Sequence, residues 1–199
     1  MKKVILTVVA LFAFGFANAQ DEKLNSSEGF SNGDVFVSGS LSFGSIKTGD
    51  FKTNSFEIAP KLGFFVSDNI ALGGKLGYNS TTQTDFPDPD IKFSEFSIGA
   101  FGRYYATPAS KFSVFGELGF DFVTGKVEQG SDEMKRDGFD IAVGPGISYF
   151  LSQNFAMEAH WGALGYSTRK DDTPNAESTN AFGLGLNLTS INIGLVYKF

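Results

Sequence analysis

Cysteine is absent from all 199 residues, so no disulfide staples the fold and no thiolate holds a metal. Histidine and tryptophan occur once each, which rules out a cluster of imidazole ligands. The one long apolar stretch, Val4 to Phe16, is too short for a membrane-crossing helix, which needs about 20 residues. No segment repeats its apolar residues at helical period, so a helical bundle is excluded. Basic charge is scarce: 16 Lys and Arg stand against 22 Asp and Glu, a formal net charge of −6. A chain of that sign has little with which to neutralise phosphates, and no nucleic-acid partner is expected. Neither a metal nor a cofactor is expected.

What is present points outward from the cell. Lys2 and Lys3, the apolar core after them and Ala17-Asn18-Ala19 make a secretory signal peptide over residues 1–19, cleaved before Gln20. Its loss removes two lysines and no acid, so the net charge falls from −6 to −8. Residues 20–32 are polar and read as a mobile periplasmic lead-in. Gly29-Phe30-Ser31-Asn32-Gly33 matches the G-x-S-x-G hydrolase pattern, but no strand precedes it and no helix follows, so the match is chance.

From Gly33 onward, 24 glycines and 23 phenylalanines arrange themselves at period 2. Val35, Val37, Leu41 and Phe43 share one face of a first strand, where Phe36 breaks the pattern. Further strands follow around Ile58, Leu72, Ile98, Leu118, Ile141 and Met157. The last strand carries Ile191, Ile193, Leu195, Tyr197 and Phe199 on one face and Asn192, Gly194, Val196 and Lys198 on the other. Short turns at Val66–Asn69, Thr107–Ser110 and Leu151–Asn154 alternate with long polar connectors at Ser45–Asn54, Ser80–Lys92, Gly125–Asp137 and Ser167–Ala181. Three short turns among four long connectors give an even number of strands, with both chain ends on the short-turn side.

Side-chain size decides which face is outside. One face holds Phe, Leu, Ile, Tyr and Trp. The other holds Gly, Ala and Ser with isolated charges. A small barrel has little interior room, so the small face turns inward and the large face meets lipid. Aromatic residues gather at both strand ends, Phe43, Phe56, Tyr78, Phe96 and Phe122 at one and Phe64, Tyr104, Phe112, Tyr149 and Phe155 at the other, as two interfacial girdles require. The expected fold is all-β: an eight-stranded antiparallel up-and-down transmembrane β-barrel over residues 33–199, with short periplasmic turns and long extracellular loops. Pro60 and Pro145 sit inside strands and predict bulges. The apolar parity flips between Trp161 and Leu164, and again between Leu188 and Ile191, which predicts bulges near Ala163 and Thr189. The segment from Phe182 to Leu188 could instead stand above the membrane as a paired extension.

The inward set comprises Glu57, Lys61, Lys75, Glu95, Arg103, Glu117, Asp121, Asp140, Glu158 and His160. Counting from the turn at Asp68 sets Lys61 opposite Lys75, and counting from the second turn sets Arg103 diagonal to Glu117. Buried charges need partners, so Glu117 and Glu158 are expected to reach Lys61, Lys75 and Arg103 and to plug the lumen. A narrow ion path is the alternative. An enzyme is the other class. Glu158 and His160 share a face, but no serine stands in an H-x-S pattern beside the one histidine, and no catalytic residue is assigned.

Phe150-Leu151-Ser152-Gln153-Asn154 and Asn192-Ile193-Gly194-Leu195-Val196-Tyr197-Lys198-Phe199 resemble turn and final-strand phrases of the small outer-membrane β-barrels of OmpA/OmpX type. The resemblance covers Gly33 to Phe199. It implies an integral outer-membrane protein of a Gram-negative envelope, with lipid around it and any surface ligand at its loops. It also implies that Ile193, Leu195, Tyr197 and Phe199 form the signal read by the barrel-assembly machinery. Within that family roles are diverse, so fold and location carry over better than function. A structural or surface-binding barrel is the expectation, a porin-like channel the alternative, and a lipid-modifying enzyme the remotest reading.

Overall fold

The structure, a computed structural model, describes residues 28–85, 89–185 and 192–199. The expected signal peptide, most of the lead-in, Phe86-Pro87-Asp88 and the expected bulge near Thr189 lie outside the described residues. The described residues form ten strands: β1 (Val35–Thr48), β2 (Phe51–Phe65), β3 (Ile70–Asp85), β4 (Ile91–Tyr105), β5 (Phe112–Gln129), β6 (Asp132–Phe150), β7 (Phe155–His160), β8 (Leu164–Asp171), β9 (Ser178–Leu184) and β10 (Asn192–Lys198). Each pairs antiparallel with its neighbours, and the sheet closes on itself through β1–β10 and β5–β6. β7 and β8 both lie along β6, and β9 and β10 lie along them in turn. The barrel therefore has eight staves, two of them broken.

The break in the seventh stave is a bulge. Gly146 pairs His160 and Phe150 pairs Ala156, whereas Val143 pairs Leu164 and Arg136 pairs Asp171. The register has slipped by one residue, so Trp161, Gly162 and Ala163 face Gly144 and Pro145. Trp161 N–H donates to the Pro145 carbonyl at 3.2 Å and Ala163 N–H to the Val143 carbonyl at 2.8 Å. Proline offers no N–H in return, which is why the ladder yields there. This is the bulge expected near Ala163, and it restores Leu164 and Tyr166 to the outer face. At Pro60 the outcome differs from expectation. The β1–β2 register runs through it unbroken. On the β3 side the pairing lapses between Ile58–Tyr78 and Lys61–Lys75, but the register is the same on both sides. The missing N–H costs hydrogen bonds without inserting a residue.

Two of the three short turns share one design. Ser67 and Ser152 each accept, on Oγ, the backbone N–H of the first residue of the next strand, Ile70 and Phe155. Asn69 and Asn154 each donate from Nδ2 to a neighbouring stave, to the Tyr105 and Lys198 carbonyls, both at 2.7 Å. Much of what reads as long connector is paired strand. β1 and β2 pair as far as Thr48–Phe51, and β5 and β6 as far as Gln129–Asp132. Gly49 and Gly130 open these two-residue turns with φ of 61° and 59°, the backbone that the first position of a type II′ turn requires. Polar side chains do not prevent pairing once the strands leave the membrane, because both faces are then in water.

The outer face carries Leu62, Leu72, Ile98, Leu118, Ile141, Met157 and Leu195, all exposed. Large apolar side chains point outward while Lys61, Arg103, Glu117 and Glu158 are buried inside, which is the reverse of a soluble sheet. The closing seam is uneven. β1 pairs with β10 only from Phe36 to Gly39. Beyond that point, among the described residues, β1 pairs with β2 alone and β9 with β8 alone. Phe43, Phe182 and Leu184 on these free edges are 84%, 71% and 79% exposed.

Candidate functional site

The lumen at the short-turn end is filled by aromatic rings. Phe36, Phe65, Tyr105, Phe115 and Phe150 are buried there, and Phe30 enters from the segment before β1 with 1% exposure. Its ring lies 4.7 Å from that of Phe65, 4.8 Å from Phe150 and 5.4 Å from both Phe36 and Tyr105, centre to centre. Backbone bonds hold it: Phe30 N–H donates to the Pro108 carbonyl and Gly33 N–H to the Phe65 carbonyl. Lys198 Nζ donates to the Gly29 carbonyl. The last residues of the expected lead-in are thus folded into the barrel mouth, because an aromatic ring there exchanges water for other rings.

These inward rings add to an inner face expected to be mostly small and charged, with Phe101 on it. Phe36 pairs with Gly63, Phe101 with Gly73 and Phe115 with Gly146. A Cβ on Gly63 would lie 2.2 Å from Phe36 Cζ, and one on Gly146 would lie 2.3 Å from Phe115 Cζ. Each ring occupies the space that its glycine leaves, as aromatic residues do opposite glycine in sheets.

Above the rings sits a charge network. Arg103, 1% exposed, stacks its guanidinium 4.4 Å from the centre of Phe115. Its Nε donates to Glu117 at 2.6 Å, and its Nη1 and Nη2 donate to the two oxygens of Glu158 at 2.8 and 3.1 Å. Nη1 also reaches the Tyr105 hydroxyl at 3.0 Å. Lys61 Nζ donates to both Glu117 oxygens, at 2.8 and 3.0 Å. Two cations and two carboxylates cancel, and the guanidinium fork supplies the geometry that a buried pair needs. Arg103 and Glu117 pair directly across β4 and β5, not diagonally.

Higher in the lumen the pairing continues. Lys75 meets Asp121 at 2.7 Å, so Lys61 and Lys75, opposite each other in the register, each have their own carboxylate. Arg169 grips Asp140 with two bonds of 2.6 and 2.8 Å and approaches Glu95 at 3.6 Å. Arg169 was not foreseen as a lumen residue. The one-residue slip at the bulge turns Gly165, Ser167 and Arg169 inward, and carrying the alternation past Ala163 would have found it. Glu57 is exposed at the upper mouth and has no ion partner among the described residues. His160 follows Glu158 along β7, and both oxygens of Glu158 are held by Arg103. Its Nδ1 is enclosed and has no hydrogen-bond partner, as is Trp161 Nε1. Trp161 was expected on the lipid face. Within the bulge it is half-buried, and its indole Nε1 is enclosed.

The sequence matches the family described as outer membrane protein beta-barrel domain over residues 6–199. The chain belongs to that family. Among solved structures, the barrel resembles the outer membrane protein OprG from Pseudomonas aeruginosa, at 16% identity over 87% of this chain and 99% of that one, with a TM-score of 0.55. It also resembles Neisserial surface protein A, at 17% identity over 83% of this chain and 97% of that one, with a TM-score of 0.49. Comparison with curated proteins finds no match. This is therefore an outer-membrane β-barrel of a Gram-negative envelope, embedded in lipid. Among the described residues of this barrel, no three His, Asp or Glu are grouped to hold a metal ion.

Proposed function

We propose that this barrel is an occluded envelope protein that works structurally and through its long-hairpin end, rather than as a pore. The observation that carries the reading is the two-tier plug: seven packed rings with Arg103 and its carboxylates against them. Eight-stranded barrels have interiors just wide enough for side chains to fill, and here large side chains fill one. The short turns face the periplasm, and the hairpins β1–β2 and β5–β6 project outside, where recognition of a surface ligand would concentrate. Residues 1–19 direct export and are removed before Gln20. Ile193, Leu195, Tyr197 and Phe199 serve the barrel-assembly machinery, and the exposure of Ile193 and Leu195 on the outer face leaves them readable there.

The test is conductance. The purified barrel in planar bilayers should give no discrete steps, and should migrate differently on a gel before and after heating. Regular single-channel steps from the unmodified protein would overturn the occluded reading in favour of a narrow channel for ions or small solutes.

A further inference from the structure

At the long-hairpin end, the outer face repeats one spacing. Lys47 lies four residues beyond Phe43 on β1, Lys52 four beyond Phe56 on β2, and Lys92 four beyond Phe96 on β4. Lys126, Lys135 and Lys170 stand in the same relation to Phe122, Phe139 and Tyr166 on β5, β6 and β8. Six of the eight staves therefore carry the pair. Four is an even step, and the registers run through these spans without a slip, so each lysine shares the outward side with its ring. At about 3.3 Å per residue and a tilt of about 40°, that step lifts the lysine backbone about 10 Å above the ring. The same step beyond the rings of the short-turn end reaches Asp68, Pro108, Leu151 and Gln153, and no lysine.

The lysines are not equivalent. On β5, β6 and β8 they meet outward carboxylates. Lys126 pairs with Glu128 at 2.7 Å and approaches Glu133 at 3.6 Å, and Lys135 approaches Glu133 at 3.7 Å. Asp137 stands opposite Lys170 in the register. On the β1–β4 side, Lys47, Lys52 and Lys92 are exposed and make no ion pair among the described residues. Glu128 lies across from Lys92, but its carboxylate is held by Lys126. Asp50 and Asp90 stand on the connectors and pair with none of the three. Lys47 and Lys52 face each other directly across β1 and β2, a placement that is destabilising unless an anion lies beside it. Between the rings and these lysines the outer face carries Ser45, Asn54, Ser80 and Ser94, a polar tier without charge.

We propose that the outer face of β1–β4 above the rings docks a lipid whose phosphate is carried on a sugar headgroup. Charge selects an anion, because the lysines there have no carboxylate of their own. Direction selects a lipid: the lysines point sideways with Phe43 and Phe56, not upward from the hairpin tips where a soluble partner would arrive. Height selects the headgroup. A phosphodiester at the acyl boundary lies level with the rings, whereas these lysines start a polar tier higher, where a sugar holds its phosphate. That this leaflet is the outer one rests on the orientation proposed above. Binding of the lipid to the isolated barrel does not, so the two readings fail separately.

The full barrel, folded in a neutral maltoside detergent, is titrated with diphosphoryl lipid A in the same micelles, and bound lipids are counted by native mass spectrometry. Dephosphorylated lipid A with the same acyl chains, and phosphatidylglycerol, are the comparisons. Saturable binding of the diphosphoryl form alone is expected, weakening as salt rises. Each lysine beside an anionic headgroup is worth about fivefold in affinity. The triple variant Lys47→Gln, Lys52→Gln, Lys92→Gln should therefore bind about a hundredfold more weakly, and the triple Lys47→Arg, Lys52→Arg, Lys92→Arg should keep its affinity. Lys111→Gln, at the short-turn end, should leave binding unchanged. Equal binding of the dephosphorylated lipid or of phosphatidylglycerol overturns the proposal on the unmodified protein, whatever the variants do. Undiminished affinity in a glutamine triple variant that still shows the heat-dependent gel shift overturns it as well.

Discussion

The two ends of this barrel solve the same problem differently. At the short-turn end every stave is paired, the turns are pinned by Ser67, Asn69, Ser152 and Asn154, and the lumen is packed with rings. At the long-hairpin end the sheet is unpaired between β1 and β9 among the described residues, and the interior is a polar cavity. One end spends its side chains on packing and the other on charge and space. Burial of rings and pairing of backbone supply stability, so resistance to unfolding should reside below the level of Lys75 and adaptability above it.

Substitutions can break that contrast. The largest effect is expected for Arg103→Ala, which strands Glu117 and Glu158 without their shared cation. Removing one partner of a buried ion pair costs about 3–5 kcal/mol, measured as a fall in the urea midpoint of the folded, heat-modifiable band. A midpoint within error of the parent would mean the network is ornamental. Next is Phe30→Ala, which empties the centre of the ring cluster and should cost up to ~3 kcal/mol. Phe43→Ala, at 84% exposure on the opposite end, gives up lipid contact but no packed ring cluster and should cost only about 1 kcal/mol, part of the gain from taking a Phe out of water. Equal losses from the two would erase the difference between the ends. With Arg103 in place, Phe30→Ala should still conduct no ions.

Smaller differences sharpen the comparison. Backbone amides of residues 40–48 should exchange faster than those of residues 36–39, because only the latter are paired on both sides. Uniform protection along β1 would show the seam to be closed in solution. The smallest effect belongs to the hairpin tip. Lys126 donates to Glu128 at 2.7 Å, which holds the Glu128 carboxyl below the usual range and the Lys126 ammonium above it. A depressed carboxyl contributes stability above its unfolded-state pKa and loses it on acidification. A raised ammonium contributes below its own and loses it as the pH rises. Both groups are solvent-exposed, so Lys126→Gln should leave the midpoint unmoved at neutral pH.

Alternation along the chain was enough to number the staves, turn the large face to lipid and gather the central charges. Lys61, Lys75, Arg103, Glu117, Asp121, Asp140 and Glu158 all face inward as parity demands. The ring plug was harder to see, because it breaks parity locally. Phe64-Phe65, Tyr104-Tyr105 and Tyr149-Phe150 are doublets at the short-turn ends, and in each the first ring faces out and the second in. Read as doublets, with glycines falling opposite Phe36 and Phe115, they would have announced a filled mouth. Phe30 carried no such mark. Its place depends on the shape of a cluster contributed by β1, β2, β4, β5 and β6, which no local pattern encodes.

The four residue pairs between Phe36–Gly39 and β10 have a consequence in time. Most other neighbouring staves meet through a nearby hairpin, within a few tens of residues. This contact alone spans the whole sheet, and contacts of such separation form late. Until β10 has arrived, the growing sheet has two raw edges, Phe30 lacks the Lys198 that clasps its neighbour, and the cylinder is only a curled ribbon. The order in which the chain is delivered to the membrane is therefore also the order in which the ribbon can become a cylinder.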